Sequence, residues 1–133
     1  MKYKLPINFL FIAAFAAVFF ISACDDTSNI TNINSVIIPA QNVSYSKYIQ
    51  PVLSLYCDRS GCHDDQTSAG NLSVTSWSNV VKGSIVFPGI PETSHLVWVI
   101  TGLSPNHPFF TPTPNSNQIN GIKTWIKEGA KNN

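Results

Sequence analysis

Charge is scarce in this chain and of neither sign in excess, with eight Lys and Arg against seven Asp and Glu among 133 residues. Without a basic surplus there is no electrostatic footprint for a nucleic-acid backbone. Methionine is almost absent, Met1 being the single one, and cysteine occurs three times, at Cys24, Cys57 and Cys62. Also missing are a glycine-rich phosphate loop, a nucleophile elbow and a metalloprotease histidine pair, and the acidic residues show no pairing suited to acid–base catalysis. No segment alternates apolar and polar residues strongly enough for a half-buried strand, and no internal repeat occurs. The length allows one globular domain plus a targeting segment, too little for a multidomain enzyme.

What the chain does have begins at its N-terminus. Lys2 and Lys4 precede an apolar run over residues 5–20 that holds Phe9, Phe11, Phe15, Phe19 and Phe20, and Ile21-Ser22-Ala23-Cys24 closes it with small residues before a cysteine. This tail resembles the bacterial lipobox, which implies acylation of Cys24, removal of residues 1–23 and attachment to a membrane by acyl chains. The competing reading is a single transmembrane anchor, because the apolar run approaches the shortest spanning length. A lipidated chain would face an extracytoplasmic space, on the periplasmic side of the inner or outer membrane or at the cell surface. Its mature part would carry six Lys and Arg against seven Asp and Glu, a net charge of −1. Residues 24–43 are rich in Asn, Ser and Thr apart from Val36-Ile37-Ile38, the composition of a tether leading to a domain over residues 44–133.

Within that domain the apolar spacing predicts an all-α fold with three to four helices and long loops. Tyr45, Tyr48, Ile49, Val52, Leu53 and Tyr56 mark one helical face leading into Cys57. Pro51 must either bend this helix or start it afresh. A short helix is expected over 76–82, with Thr75 as cap and Gly83 as stop, and another of about ten residues between Pro91 and Gly102. The last is the clearest: Asn115 or Ser116 caps it, Gln118 can complete a capping box, Ile119, Ile122 and Ile126 form a stripe beside Trp125, and Gly129 ends it. Its stripe needs a partner, for which the 45–56 helix is suited.

Chemistry concentrates in Cys57-Asp58-Arg59-Ser60-Gly61-Cys62-His63. Covalent haem attachment requires two thiols, one for each porphyrin vinyl group, and an adjacent histidine to ligate the iron. The usual spacing has two residues between the cysteines; here there are four, which still suits both thioethers if the additional residues bulge outward, with Gly61 supplying the backbone freedom. The same residues suit a zinc ion, with Cys57, Cys62, His63 and one distant histidine as a tetrahedral set. They also suit a plain Cys57–Cys62 disulfide. All three readings stand on the heptapeptide alone.

The wider chain bears on the choice. Ile49-Gln50-Pro51-Val52-Leu53 leading into Cys57, Cys62-His63, Ala69-Gly70-Asn71-Leu72, Pro88-Gly89 with Ser94 and Leu96, and Trp125-Ile126-Lys127-Glu128-Gly129-Ala130 follow in an order and spacing that resembles a family of small bacterial cytochrome c domains found in exported proteins, often lipoproteins. The resemblance implies a small all-α cytochrome c fold, one covalent haem c, His63 as axial ligand and a redox partner protein. In that family a Met-Pro step about eighteen residues before the final tryptophan supplies the second axial ligand. This chain departs there, with His107-Pro108 in that place, eighteen residues before Trp125. The resemblance therefore implies His107 as the second ligand and a lower-potential carrier, since methionine ligation raises the potential. The alternative for His107 is an ordinary loop histidine, leaving an open site for small ligands or peroxidase-like chemistry.

Other residues divide similarly. His95 has the same donor chemistry but reads as a helix-surface or partly packed histidine. Trp77, Trp98 and Trp125 either edge a porphyrin or fill the core. Pro88-Gly89 resembles the family's loop near the haem, where a carbonyl could accept the Nδ1 hydrogen of His63. Arg59 and Lys82 either pair with haem propionates or are solvated. Three functions remain on these grounds: a lipid-anchored monohaem electron carrier rather than an enzyme, a haem-free lipoprotein binding module built on a disulfide or a zinc site, or a haem enzyme or sensor with a vacant distal site. A covalent cofactor would also provide the apolar centre that a mature chain of about 110 residues otherwise has in modest measure.

Overall fold

Ser44 starts the first helical segment because its hydroxyl accepts the backbone N–H of Lys47 at 3.2 Å. The computed structural model describes residues 32–107 and 112–133. The expected signal segment, Cys24 and residues 25–31 lie outside the described residues, as does Pro108. Among the described residues the structure is helical and has no strand, in keeping with an all-α class. None of their helices is long and apolar enough to cross a membrane.

The chain makes one wide π-turn over Tyr45–Ile49, then α1 over Gln50–Tyr56, with Pro51 in the first turn of α1. Proline has no N–H to donate to the carbonyl four residues back and its ring crowds that carbonyl, so this is the place where a widened turn costs least. Of the two sequence options for Pro51, the structure shows the second, a new helix with the proline in its first turn. A short helix α2 follows at Trp77–Val80, α3 at His95–Ile100 and α4 at Ser116–Lys127, with single 3₁₀ turns at Ile33–Ser35, Ala69–Asn71 and Pro91–Thr93.

Two helix starts differ from expectation, for local reasons. The cap of α2 is Ser76, not Thr75, because the Thr75 hydroxyl is engaged by Asp65 at 2.8 Å. The expected helix between Pro91 and Gly102 is split at Ser94, which is extended and fully buried. Its hydroxyl accepts the N–H of Phe87 at 2.9 Å and donates to the Ile90 carbonyl at 3.0 Å. A buried hydroxyl satisfied in this way holds the backbone out of helix.

In α4 the capping box is complete, with Asn115 Oδ1 accepting the Gln118 N–H at 3.0 Å and Gln118 Oε1 accepting the Asn115 N–H at 2.8 Å. Ile122, Trp125 and Ile126 on this helix are fully buried. Trp125 meets Tyr45 of the π-turn with ring centroids 5.3 Å apart, so the partner expected for the last helix is the one found. Ile49, Val52 and Leu53 complete the centre of this core.

The domain begins earlier than Ser44. From Asn32 onward the segment expected as tether is packed, with Ile33, Ile38 and Val43 buried. Asn117 of α4 grips the Ile38 backbone from both sides, accepting its N–H at 2.8 Å and donating to its carbonyl at 3.1 Å. At the other end of α4 the two carboxylate oxygens of Glu128 accept the N–H groups of Asn42 and Val43 at 2.6 and 2.9 Å. Composition hid this strap because its anchoring is carried by backbone groups, which any residue provides.

The strap lies so close to α4 that a Cβ on Gly121 would stand 2.6–3.0 Å from three atoms of Ile38. Gly121→Ala should therefore destabilise the domain. Overpacking costs about 1–3 kcal/mol, while removing a helix-interior glycine returns about 1 kcal/mol. Chemical denaturation should show a net loss of about 1 kcal/mol, and an increase in stability would mean that the strap is not held in this register.

Candidate cofactor site

The segment that follows α1 is a tight loop closed on itself. Cys57 N–H donates to the Leu53 carbonyl at 2.8 Å, and the Cys57 carbonyl accepts both Arg59 N–H at 3.0 Å and His63 N–H at 3.1 Å. Cys57 and His63 are thereby drawn together, and the additional residues are looped out, Ser60 and Gly61 being exposed. Gly61 has φ +84°, the left-handed backbone that its place in the loop demands. Its N–H donates to the Thr67 hydroxyl at 3.2 Å.

The following stretch returns beneath the loop. Ala69 N–H donates to the Cys62 carbonyl at 2.8 Å and Val74 N–H to the His63 carbonyl at 3.0 Å. Between them Gly70 and Asn71 both adopt positive φ, turning the Leu72 carbonyl toward His63. His63 Nδ1 lies 3.1 Å from that carbonyl oxygen. A carbonyl can only accept, so Nδ1 carries the hydrogen in this contact and Nε2 is left with its lone pair as a metal donor.

Asp64 and Asp65 brace the same stretch from outside. The Thr67 backbone N–H holds the Asp64 carboxyl below the usual carboxylate range, and the hydroxyls of Ser73 and Thr75 do the same for Asp65. Both are surface groups that shape the loop.

Above the loop is a cavity of about 580 Å³. This lies within the range of about 300–1,000 Å³ for cofactor and small-molecule sites. Cys57, Cys62, His63 and His107 all line it. Its other walls are mainly apolar, with Leu53 and Tyr56 from α1, Leu72, Ile85, and Leu96 and Val99 from α3. The rings of His63 and His107 stand with centroids 5.9 Å apart and planes inclined by 23°.

The two thiols differ. Cys57 is half-buried, and burial, with Cys62 and Asp58 adding to it, pushes its thiol up to about 12. It is therefore held as the neutral S–H at neutral pH. Cys62 is exposed. Both are free thiols in the structure, unjoined by a disulfide. Among the described residues no three His, Cys, Asp or Glu side chains are grouped so as to hold one ion.

Of the remaining candidates, Arg59 lines the cavity, and Lys82 is exposed and does not. His95 lines the cavity as well, at the start of α3. The Pro88-Gly89 carbonyl expected to orient His63 does not do so. That turn is exposed and tied to the C-terminal end of α4 through Gly89 N–H and the Ile126 carbonyl at 2.7 Å, and Leu72 has the orienting role.

No tryptophan lines the cavity. Trp125 is core, Trp77 donates to the Ala130 carbonyl at 2.8 Å, and Trp98 donates to the Glu92 carbonyl at 2.6 Å. The Leu72 carbonyl was missed because a backbone acceptor has no side-chain signature. The Gly70-Asn71 pair was the available signal, since such pairs mark left-handed turns.

Two thiols, two imidazoles and an apolar chamber suit a flat, largely apolar metal macrocycle attached through sulfur. No protein-family model, curated protein or solved structure matched the chain.

Proposed function

We propose that this protein is a lipid-anchored monohaem c-type cytochrome that passes electrons to or from a redox partner protein. The observation that supports it most is the convergence of Cys57, Cys62, His63 and His107, spread over 50 residues of chain, on one apolar cavity of about 580 Å³. A bound haem c would supply a one-electron iron couple. The sulfurs of Cys57 and Cys62 would each add, with their hydrogen, across one porphyrin vinyl group. His63 would offer Nε2 to the metal, kept in that tautomer by the Leu72 carbonyl at 3.1 Å.

His107 would be the second residue to hold the iron. Two histidines favour a lower potential than a histidine–methionine pair. The apolar walls from α1 and α3 would lie against the cofactor, and the polarity of such a shell tunes the potential of the iron. Arg59 at the cavity could face a propionate. In this reading the iron couple would carry the function, and the protein would be a carrier rather than an enzyme.

In this reading Cys24 holds the acyl anchor and the domain works on the periplasmic face of a membrane or at the cell surface. The near-neutral charge gives no reason to expect a nucleic-acid partner.

The test is a reduced-minus-oxidised and pyridine haemochrome spectrum of the full chain, produced in a host with haem c maturation and extracted beforehand with acid acetone. A sharp α-band that stays with the polypeptide is expected. A colourless protein from a competent host would overturn the proposal and return Cys57, Cys62 and His63 to a disulfide loop or a zinc site.

A further inference from the structure

His107 is presented by a short turn, and one attachment of that turn to the rest of the domain runs through a residue with no role so far. After α3 the chain is fastened back onto the helix, with Gly102 N–H donating to the Val99 carbonyl at 3.1 Å and Leu103 N–H to the Trp98 carbonyl at 2.7 Å. The next residue, Ser104, holds the turn at two points. Its carbonyl accepts the N–H of His107 at 3.3 Å, and its hydroxyl lies 3.3 Å from Nε2 of His95.

His95 is itself braced. Its ring meets the edge of Trp98 at 6.1 Å between centroids and 82° between planes, and the Trp98 indole is tied to the Glu92 carbonyl. His95 also lines the cavity that His63 and His107 line.

We propose that His95 is a positioning residue for His107: through Ser104 it clamps the turn that presents His107, and so sets how readily His107 yields its place to a small exogenous ligand such as carbon monoxide. The inference rests on the cytochrome reading above. The direct link is one hydrogen bond at an exposed site, so its removal should have a modest effect that leaves His107 the preferred donor. Loss of the clamp should raise the rate of carbon monoxide binding to the reduced protein about two- to tenfold, the range of one such bond.

The experiment uses the full-length holoprotein, with covalent haem first verified by its haemochrome. A missing haemochrome sinks the cytochrome reading itself and is thereby separate from the outcomes that follow. Carbon monoxide binding and the ferric low-spin fraction are then measured for His95→Ala, His95→Gln, Ser104→Ala and the His95→Ala/Ser104→Ala pair.

Faster binding is expected in both alanine variants, with no further increase in the pair because they remove the same link. His95→Gln, which keeps a side-chain amide able to reach Ser104, should recover part of the slow binding. Unchanged binding in both alanine variants overturns the proposal, as does an additive pair. A high-spin His95→Ala protein beside a low-spin His107→Ala protein overturns it too, and makes His95 the ligand.

Discussion

Replacing Cys57 and Cys62 together by alanine should leave a colourless polypeptide with little folded domain. The reason is the size of the chamber. A cavity of about 580 Å³ is bordered by Leu53, Tyr56, Val80 and Leu96, which belong to the core around α1 and α3.

The chamber is partly open to solvent, so without the cofactor its apolar walls must face water or collapse. A domain of this size, with about 5–15 kcal/mol of total stability, has little to spare for either. A covalently held cofactor fills the volume permanently, whereas one bound only through His63 and His107 can dissociate. Thermal unfolding followed by far-ultraviolet circular dichroism is the measurement, and an unchanged transition in the double variant would refute the idea that the cofactor organises the fold.

His107→Ala should have the second large effect, and a more selective one. Cys57, Cys62 and His63 lie in the loop 57–63 with its own backbone hydrogen bonds, and His107 is in a separate turn beyond α3. Removing the His107 imidazole should therefore leave the haem attached and the domain folded. The ferric spectrum should change from low-spin to high-spin, and carbon monoxide should bind rapidly without having to displace a protein ligand. His107→Met, by contrast, should keep a six-coordinate iron and move the midpoint potential upward. Should His107→Ala retain an unaltered low-spin spectrum, the ligand role passes to another residue, most plainly to His95 on the same cavity wall.

The parts of this molecule that could be read from the chain are those decided within a few residues. The Asn115–Gln118 capping box and the glycine at position 129, with φ +99°, place α4 almost to the residue. The pitch change at Pro51 and the looped-out Gly61 follow from the φ restraint of one residue and the freedom of the other. The nearness of Cys57, Cys62 and His63 is a matter of short covalent distance.

Where the reading departed from the structure, a distant or buried partner had intervened. Ser94 breaks the 91–102 helix because its hydroxyl serves Phe87 and Ile90. Thr75 gives up the cap of α2 because Asp65 engages its hydroxyl. The supposed tether is part of the domain from Asn32 on, because Asn117 and Glu128 hold its backbone.

By itself, then, the sequence determined which side chains could serve as donors and the helical class, since residue identities, helix caps and left-handed glycines act locally and survive any rearrangement elsewhere. Only the tertiary structure decided that the His107 turn comes within 5.9 Å of His63, that the Leu72 carbonyl rather than the Pro88-Gly89 turn orients His63, and that His95 is joined to the turn bearing His107. Those juxtapositions link segments up to 44 positions apart, and they exist only once the burial of α1, α3 and α4 has outweighed the entropy of closing the loops between them.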